Sequence, residues 1–95
     1  YSQALQAAVQ AARRAGEILL AEFYRPGGPR GSSGHAPVDA EAEARIAQDL
    51  LSLFPDWGFR GEECSDLRRG GDHIWVVDPN DGTRAYLEGW RGSAV

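Results

Sequence analysis

The sequence predicts an α/β fold in which two helices pack together on one face of a small sheet. Two observations support this class. The first half of the chain carries apolar residues at helical spacing, and the second half carries two short runs rich in β-branched and aromatic residues. The length of 95 residues allows one small domain, and 42% hydrophobic with 25% charged residues is ordinary globular composition.

The first helix is predicted over residues 3–25, with Ser2 as its N-cap. Its alanine-rich composition favours helix on propensity. Gly16 lies on the apolar face and indicates a close approach to another element. The predicted buried stripe follows a period of 3.6 residues and comprises Leu5, Val9, Ala12, Gly16, Leu19 and Phe23.

A mobile loop is predicted over residues 26–38, where proline, glycine and serine dominate. A second helix is predicted over residues 39–54. Asp39 is its predicted N-cap, two glutamates in the first turns complement the helix dipole, and Pro55 ends the helix. The predicted buried stripe of this helix comprises Ala42, Ile46, Leu50 and Leu53.

Two strands are predicted at about residues 57–61 and 73–78, separated by a polar loop over residues 64–72. The second strand contains HIWVV and is apolar on both faces, which is typical of a central strand covered on two sides. A sheet of two or three short strands rarely stands alone. We therefore expect the chain to be part of a larger α/β domain.

Composition argues against several functional classes. The formal net charge of −4 leaves no basic stripe for a nucleic-acid partner. No apolar run approaches the roughly 18 residues of a membrane span, so no membrane partner is expected. The single cysteine, Cys64, cannot form an internal disulfide, and a cytoplasmic location is expected. His35 and His73 are too far apart in sequence to suggest a zinc site.

Carboxylates follow both predicted strands. The first strand leads into Glu62 and Glu63, and the second leads into Asp78, Asn80 and Asp81. If the strands are neighbours, four carboxylates converge at one edge of the sheet, where they repel one another unless a cation lies among them. Oxygen ligands in this number suit Mg²⁺, completed by water and a substrate phosphate.

The segment 78–83, DPNDGT, allows two interpretations. In the functional one, the Asn80 carbonyl points the same way as the two aspartates, and the backbone N–H groups of Gly82 and Thr83 hold a phosphate. In the structural one, the segment is a type I turn on the surface. A calcium-binding loop fits less well, because its twelfth position would be Gly89 where that loop needs a glutamate.

The two motifs together resemble the inositol monophosphatase superfamily of Mg²⁺-dependent phosphatases. That superfamily carries GEE, here residues 61–63, followed by a motif such as WVVDPNDGT, here residues 75–83. The long first helix with its AGE turn and the Asp-x-x-x-Glu that opens the second helix are similar as well. The resemblance covers essentially all 95 residues but only the first part of a family member. It implies a layered α+β sandwich with a mainly antiparallel sheet, in which this part alone is inactive and marginally folded.

The resemblance also implies roles for individual residues. Thr83 orients the attacking water, Asp39 is the partner of Thr83, and Glu63 lies beside the metal ligands. The sequence departs from the family pattern in the loop, which has Arg30 but no lysine, and Ala36 stands about where the family usually has a threonine. Two or three Mg²⁺ ions, with Mn²⁺ as a substitute, are expected to bind the side chains of Glu62, Asp78 and Asp81 and the backbone carbonyl of Asn80. The side-chain identity of Asn80 is expected to matter little.

The sequence thus predicts a phosphomonoesterase that hydrolyses a small phosphorylated metabolite, such as inositol monophosphate, with a metal-activated water. Within the superfamily, a 3'(2'),5'-bisphosphate nucleotidase or a sugar bisphosphatase is the alternative. A non-catalytic metal-binding module is the alternative of another class. The intact protein is expected to be a homodimer. Neither Cys64 nor His73 is expected to be catalytic, and the three tryptophans are expected to pack in the core or at a domain edge.

Overall fold

The computed structural model describes residues 2–32, 34–63, 66–67, 71–90 and 92–95. In chain order its elements are α1 (Ser2–Phe23), α2 (Pro37–Leu53), β1 (Gly58–Gly61), β2 (Asp66–Leu67), β3 (Ile74–Val77) and α3 (Thr83–Leu87). None of the helices in the described part is long and apolar enough to cross a membrane.

The sheet is mixed and has the strand order β2-β1-β3. The central strand β1 pairs in parallel with β3, where Phe59 lies opposite Trp75, and antiparallel with the two-residue β2, where Phe59 lies opposite Leu67. The mainly antiparallel sheet that the resemblance implies for the larger domain is therefore not seen in this described part. Strand β2 lies in the segment that the sequence predicts as loop. The parallel pair has the greater functional consequence, because it brings the carboxyl ends of β1 and β3 to one edge.

Helix α1 packs on α2 through small side chains, not through the large ones that periodicity favours. Leu5 is 66% exposed and Val9 is 43% exposed, so the predicted stripe is wrong at its first two positions, while Leu19 is buried. A Cβ added to Gly16 would meet no atom of the described residues within 4 Å, so the close approach predicted there is wrong too. The residues that face the core are Ala4, Ala7, Ala11, Ala15 and Leu19. Alanine methyls allow two helices to approach closely, and this contact selects the alanine face.

Helix α2 begins two residues earlier than predicted, and Asp39 is not its N-cap. The N-cap is Ala36, in extended conformation, and Pro37 occupies the first turn, where its missing N–H costs no hydrogen bond. Asp39 lies inside the first turn with its side chain buried, and its N–H donates to the Ala36 carbonyl at 2.9 Å. At the other end Leu53 is 61% exposed, so its predicted place in the core is wrong. The buried face comprises Val38, Ala42, Ile46 and Leu50 together with two carboxylates.

The loop between α1 and α2 is anchored to α1 by a single ion pair. The Arg30 guanidinium donates to both carboxylate oxygens of Glu22 at 2.9 and 3.0 Å, and the Arg30 backbone N–H donates to the same carboxylate at 2.8 Å. These hydrogen bonds lower the pKa of Glu22 to about 2. The sequence predicts this loop as mobile. The anchor fixes its midpoint to α1.

Candidate active site

The parallel pairing of β1 and β3 positions two of the predicted metal-binding carboxylates. Gly61 lies opposite Val77 at the end of the paired register, and the Glu62 N–H donates to the Val77 carbonyl at 3.2 Å. Glu62 and Asp78 therefore leave adjacent strands side by side. A hydrogen bond to Asp78 and the charge of Asp78 raise the pKa of Glu62, with smaller contributions from burial and from neighbouring carboxylates.

The turn that follows β3 is stabilised by a hydrogen bond to the Asp78 side chain and by backbone hydrogen bonds to Ala94. The Asn80 N–H donates to Asp78 Oδ1 at 3.2 Å, which is the hydrogen bond of an Asx turn. The backbone of Asp81 exchanges two hydrogen bonds with Ala94, at 2.7 and 2.9 Å. Asp78 thus has a structural role in this turn in addition to the functional one predicted for it. The turn is not on the surface as the structural interpretation predicts, because Asn80 and Pro79 are buried.

Glycine is required at the next position for two reasons. Gly82 has φ 86°, in the left-handed region that side chains disfavour. A Cβ there would also approach the Gly92 carbonyl oxygen to 2.9 Å. This conformation directs the chain into α3 and sets Thr83 at the start of that helix.

Asp39, Asn80 and Thr83 form a buried hydrogen-bonded network, which we call the Asp39 network. Asp39 Oδ2 accepts from the Thr83 hydroxyl at 2.8 Å, and Asp39 Oδ1 accepts from the Asn80 side-chain amide at 2.9 Å. Asp39 is 2% exposed and Asn80 3%. Thr83 Oγ1 also lies 2.8 Å from the Asn80 carbonyl oxygen. The structure thus places Thr83 in contact with Asp39, but the Asn80 side chain, expected to matter little, is part of the network.

Glu43 is a buried carboxylate for which the sequence predicts a favourable interaction with the helix dipole but no place in the site. It is fully buried, and its Oε1 accepts from the Glu63 N–H at 2.7 Å. A Cβ on Gly61 would collide with this carboxyl group, so the glycine of GEE leaves room for Glu43. The signal in the sequence is the four-residue spacing from Asp39, which puts both carboxylates on one face of α2. Burial, followed by the charges of Asp39 and Glu43, raises the pKa of Glu63.

The donor chemistry fits a divalent cation, although the side chains form no complete cage. Within the described ranges, no three Asp, Glu, His or Cys side chains converge closely enough to hold a metal. The pair that does converge is Glu62 with Asp78, and Asp81 influences Glu62 through its charge. The buried Asn80 Oδ1 has no hydrogen-bond partner among the described residues. Carboxylate and carbonyl oxygens at this edge are the ligands that Mg²⁺ prefers.

His73 and the tryptophans are not part of the candidate site. His73 stacks on Trp57, with ring centroids 4.4 Å apart, at the opposite end of β3 from Asp78. Trp75 packs against the core, whereas Trp90 is 65% exposed and lies outside the core of the described residues. Cys64 lies outside the described residues.

The fold and site define an α/β protein in which two parallel strands end in carboxylates at one edge of the sheet, and comparison with known proteins identifies the family. The sequence profile of the inositol monophosphatase family matches residues 1–95. The chain therefore belongs to the inositol monophosphatase family, and the resemblance noted from the two motifs is confirmed.

Individual relatives agree with this assignment. The chain is 35% identical over 89 residues to a histidinol-phosphatase of Chlorobaculum parvum, a match that covers 90% of this chain and 34% of the relative. It is 35% identical over 96 residues to an inositol-1-monophosphatase of Rhizobium meliloti, covering 93% and 35%. The extragenic suppressor protein suhB of Bartonella henselae superposes with a TM-score of 0.84 at 28% identity, covering 94% and 37%. The α/β class is thereby confirmed, and the chain spans about a third of the length of these proteins.

Proposed function

We propose that the complete protein carrying this chain is a Mg²⁺-dependent phosphomonoesterase. The observation that carries the proposal is the Asp39 network beside the Glu62–Asp78 pair. A threonine hydroxyl bonded to a buried carboxylate, next to paired carboxylates at the ends of two adjacent strands, suits the orientation of a water for attack on phosphorus. The family membership of the chain supports the same reaction class.

Glu62, Asp78, Asp81 and the Asn80 carbonyl are the residues that would hold the metal. When bound, Mg²⁺ supplies Lewis acidity and neutralises charge on the phosphate. The Asn80 carbonyl oxygen has two lone pairs, so its contact with Thr83 does not prevent it from acting as a ligand. Mn²⁺, which accepts the same oxygen ligands, is proposed as a substitute.

The Asp39 network fixes the direction of the Thr83 hydroxyl proton and thereby orients the attacking water. With its single proton donated to Asp39 Oδ2 at 2.8 Å, Thr83 Oγ1 keeps lone pairs that accept a hydrogen bond from the attacking water. The ester phosphate is proposed to bind the backbone N–H groups of Gly82 and Thr83, because the first N–H groups of a helix have no partner within it. As the new P–O bond to the water forms, the ester P–O bond breaks opposite it, in line, and the proton that the water loses is taken up by the leaving alkoxide, which departs as the alcohol.

The proposed substrates are small phosphorylated alcohols. Two relatives are named for histidinol phosphate and inositol 1-phosphate hydrolysis, and both compounds are phosphate monoesters of small polar alcohols. We place inositol monophosphate first. A 3'(2'),5'-bisphosphate nucleotide and a sugar bisphosphate stay as the alternatives within the superfamily.

The test assays the complete protein with Mg²⁺ against inositol 1-phosphate, histidinol phosphate, phosphoadenosine phosphate and fructose 1,6-bisphosphate. We expect release of inorganic phosphate from at least one. Asp81→Asn should lower kcat/KM at least about a hundredfold, because it removes a charged ligand. The matched control is Asp56→Asn, because the Asp56 carboxylate is exposed and lies far from Asp81 in the sequence. This variant should leave activity unchanged.

Two results would contradict the proposal. Near-normal activity of Asp81→Asn would show that the metal assignment is wrong. Absence of hydrolysis across the panel, with Mg²⁺ binding retained, would favour a non-catalytic metal-binding module.

A further inference from the structure

We infer that the Asn80 side chain is a positioning residue, whose amide fixes the Asp39 carboxylate in the orientation that presents Oδ2 to Thr83. This inference rests on the proposed function, since the orientation matters for catalysis only if Thr83 orients the attacking water. It assigns a role to the side chain at a position where only the backbone carbonyl was expected to act.

The geometry divides the two oxygens of Asp39 between two donors. Nδ2 of Asn80 donates to Oδ1 at 2.9 Å and the Thr83 hydroxyl donates to Oδ2 at 2.8 Å. Rotation of the carboxylate out of this plane would lose both hydrogen bonds inside a site where Asp39 is 2% exposed. The Asn80 amide therefore fixes the orientation of the Asp39 carboxylate. The two residues are 41 positions apart in sequence, one in the turn after β3 and the other in α2.

The orientation of the amide itself is determined by its surroundings. With Nδ2 facing the carboxylate, Oδ1 points to a place where it has no partner among the described residues. The reverse orientation would put the amide oxygen of Asn80 against a carboxylate oxygen of Asp39, an acceptor against an acceptor. The hydrogen-bond network therefore favours the donor assignment.

The orientation of the Asp39 carboxylate matters because the Thr83 hydroxyl has one proton and two possible acceptors. Asp39 Oδ2 and the Asn80 carbonyl oxygen both lie 2.8 Å from Thr83 Oγ1. A fixed Asp39 carboxylate competes for this proton, and the hydroxyl lone pairs then point away from Asp39. If the carboxylate rotates, the proton goes to the Asn80 carbonyl and the lone pairs turn with it. Asn80 thus controls the direction in which Thr83 accepts a hydrogen bond.

The kinetic test compares variants of the complete protein on its best phosphomonoester with Mg²⁺. Asn80→Leu keeps the size of the side chain and the backbone carbonyl but removes the donor. We expect kcat to fall roughly tenfold to a hundredfold, with KM and the Mg²⁺ activation constant changed by less than about threefold. Asn80→Asp, which replaces the donor by an acceptor in the same shape, should fall at least as far. Gln48→Leu removes an exposed amide on α2 and should have wild-type kcat.

A second measurement needs neither metal nor turnover. In metal-free protein labelled with ¹⁵N, the Asn80 side-chain amide is identified as the signal that Asn80→Leu removes. We expect slow exchange with solvent for this amide and a shifted, faster-exchanging signal in Asp39→Ala. The exposed Gln48 amide should exchange fast in both proteins.

The outcomes separate the inference from the proposed function. An active wild type in which Asn80→Leu has unchanged kcat overturns the inference alone, as does an Asn80 amide signal that Asp39→Ala leaves unchanged. A lower thermal stability of Asn80→Leu with full kcat would also overturn it, because the side chain would then be structural. A wild type that hydrolyses no phosphomonoester removes the proposed function, and the inference with it.

Discussion

Replacing Gly61 by alanine should destabilise the protein severely, although Gly61 has an ordinary strand conformation. The three atoms nearest to an added Cβ all belong to the Glu43 carboxyl group: Oε2 lies 2.6 Å away, and Cδ and Oε1 lie closer. Such separations are far inside van der Waals contact. Because Glu43 is fully buried and holds the Glu63 N–H, it cannot move aside without loss.

The magnitude follows from these contacts. Displacing Glu43 gives up a hydrogen bond to a charged group, about 1.5–3 kcal/mol, and overpacking of a filled interior adds about 1–3 kcal/mol. The lower conformational entropy of an unfolded alanine returns roughly 0.5–1 kcal/mol. The net loss is about 1.5–5.5 kcal/mol. Folded domains have a total stability of only about 5–15 kcal/mol.

The assay is urea unfolding followed by tryptophan fluorescence, with three comparisons. Gly16→Ala is the matched control, since a Cβ on Gly16 meets no described atom within 4 Å and a helical alanine should stabilise by about 0.5–1 kcal/mol. Glu43→Ala removes the carboxyl group that the new methyl would strike. In that background Gly61→Ala should cost less than about 1 kcal/mol.

The double-variant comparison decides the matter. If Gly61→Ala lowers the free energy of unfolding equally with and without the Glu43 carboxyl group, the collision is not the cause. The account of the glycine in GEE would then have to be abandoned.

Three further predictions concern the helices and the loop anchor. Because the pKa of Glu22 is lowered to about 2, its pairing stabilises the fold above pH about 4.5, and this stabilisation is lost as the pH falls from 4.5 to 2. In Arg30→Ala, the unfolding midpoint should therefore depend less on pH between 4.5 and about 2. An unchanged pH dependence would show that the Glu22–Arg30 pair is not its cause. Burial raises the pKa of Tyr86 to about 12, and its hydroxyl donates to the Leu19 carbonyl at 2.7 Å. Ultraviolet titration should therefore show one tyrosine ionising only near pH 12, and Tyr86→Phe should cost about 1 kcal/mol of unfolding free energy, with no change counting against the bond. Ala15→Leu should destabilise by at least about 1–3 kcal/mol in the same measurement, because Ala15 is fully buried against α2, and a neutral result would place the helix interface elsewhere.

The sequence predicts the order of the elements well because their local signals are strong. The two longer strands begin and end within one residue of the predicted bounds, because glycine stands at both ends of β1, and β3 is a β-branched and aromatic run that Asp78 and Pro79 follow. The face of α1 was not predictable in this way. Two stripes with the same period lie side by side on this helix, and only the approach of α2 selects the alanine stripe over Leu5 and Val9.

The site shows the same division between local and distant information. The motifs place Glu62 and Asp78 at strand ends, and the parallel pairing of the strands then brings them together. The role of the Asn80 amide depends on a contact across 41 residues, and the requirement for glycine at position 61 depends on its contact with Glu43, 18 residues earlier. No local pattern encodes such contacts, so they appear only once the chain is folded.

The long separation between Asp39 and its donors has a consequence for a protein being synthesised. When α2 leaves the exit tunnel of the ribosome, Asn80 and Thr83 are still inside the tunnel, because they follow Asp39 by 41 and 44 residues. Until then, only water can solvate the Asp39 carboxylate in the first turn of α2, and packing this turn into the core would bury an unpaired charge. The nascent chain can therefore pair α1 with the later turns of α2 first, and the Asp39 end is sealed when the segment after β3 arrives.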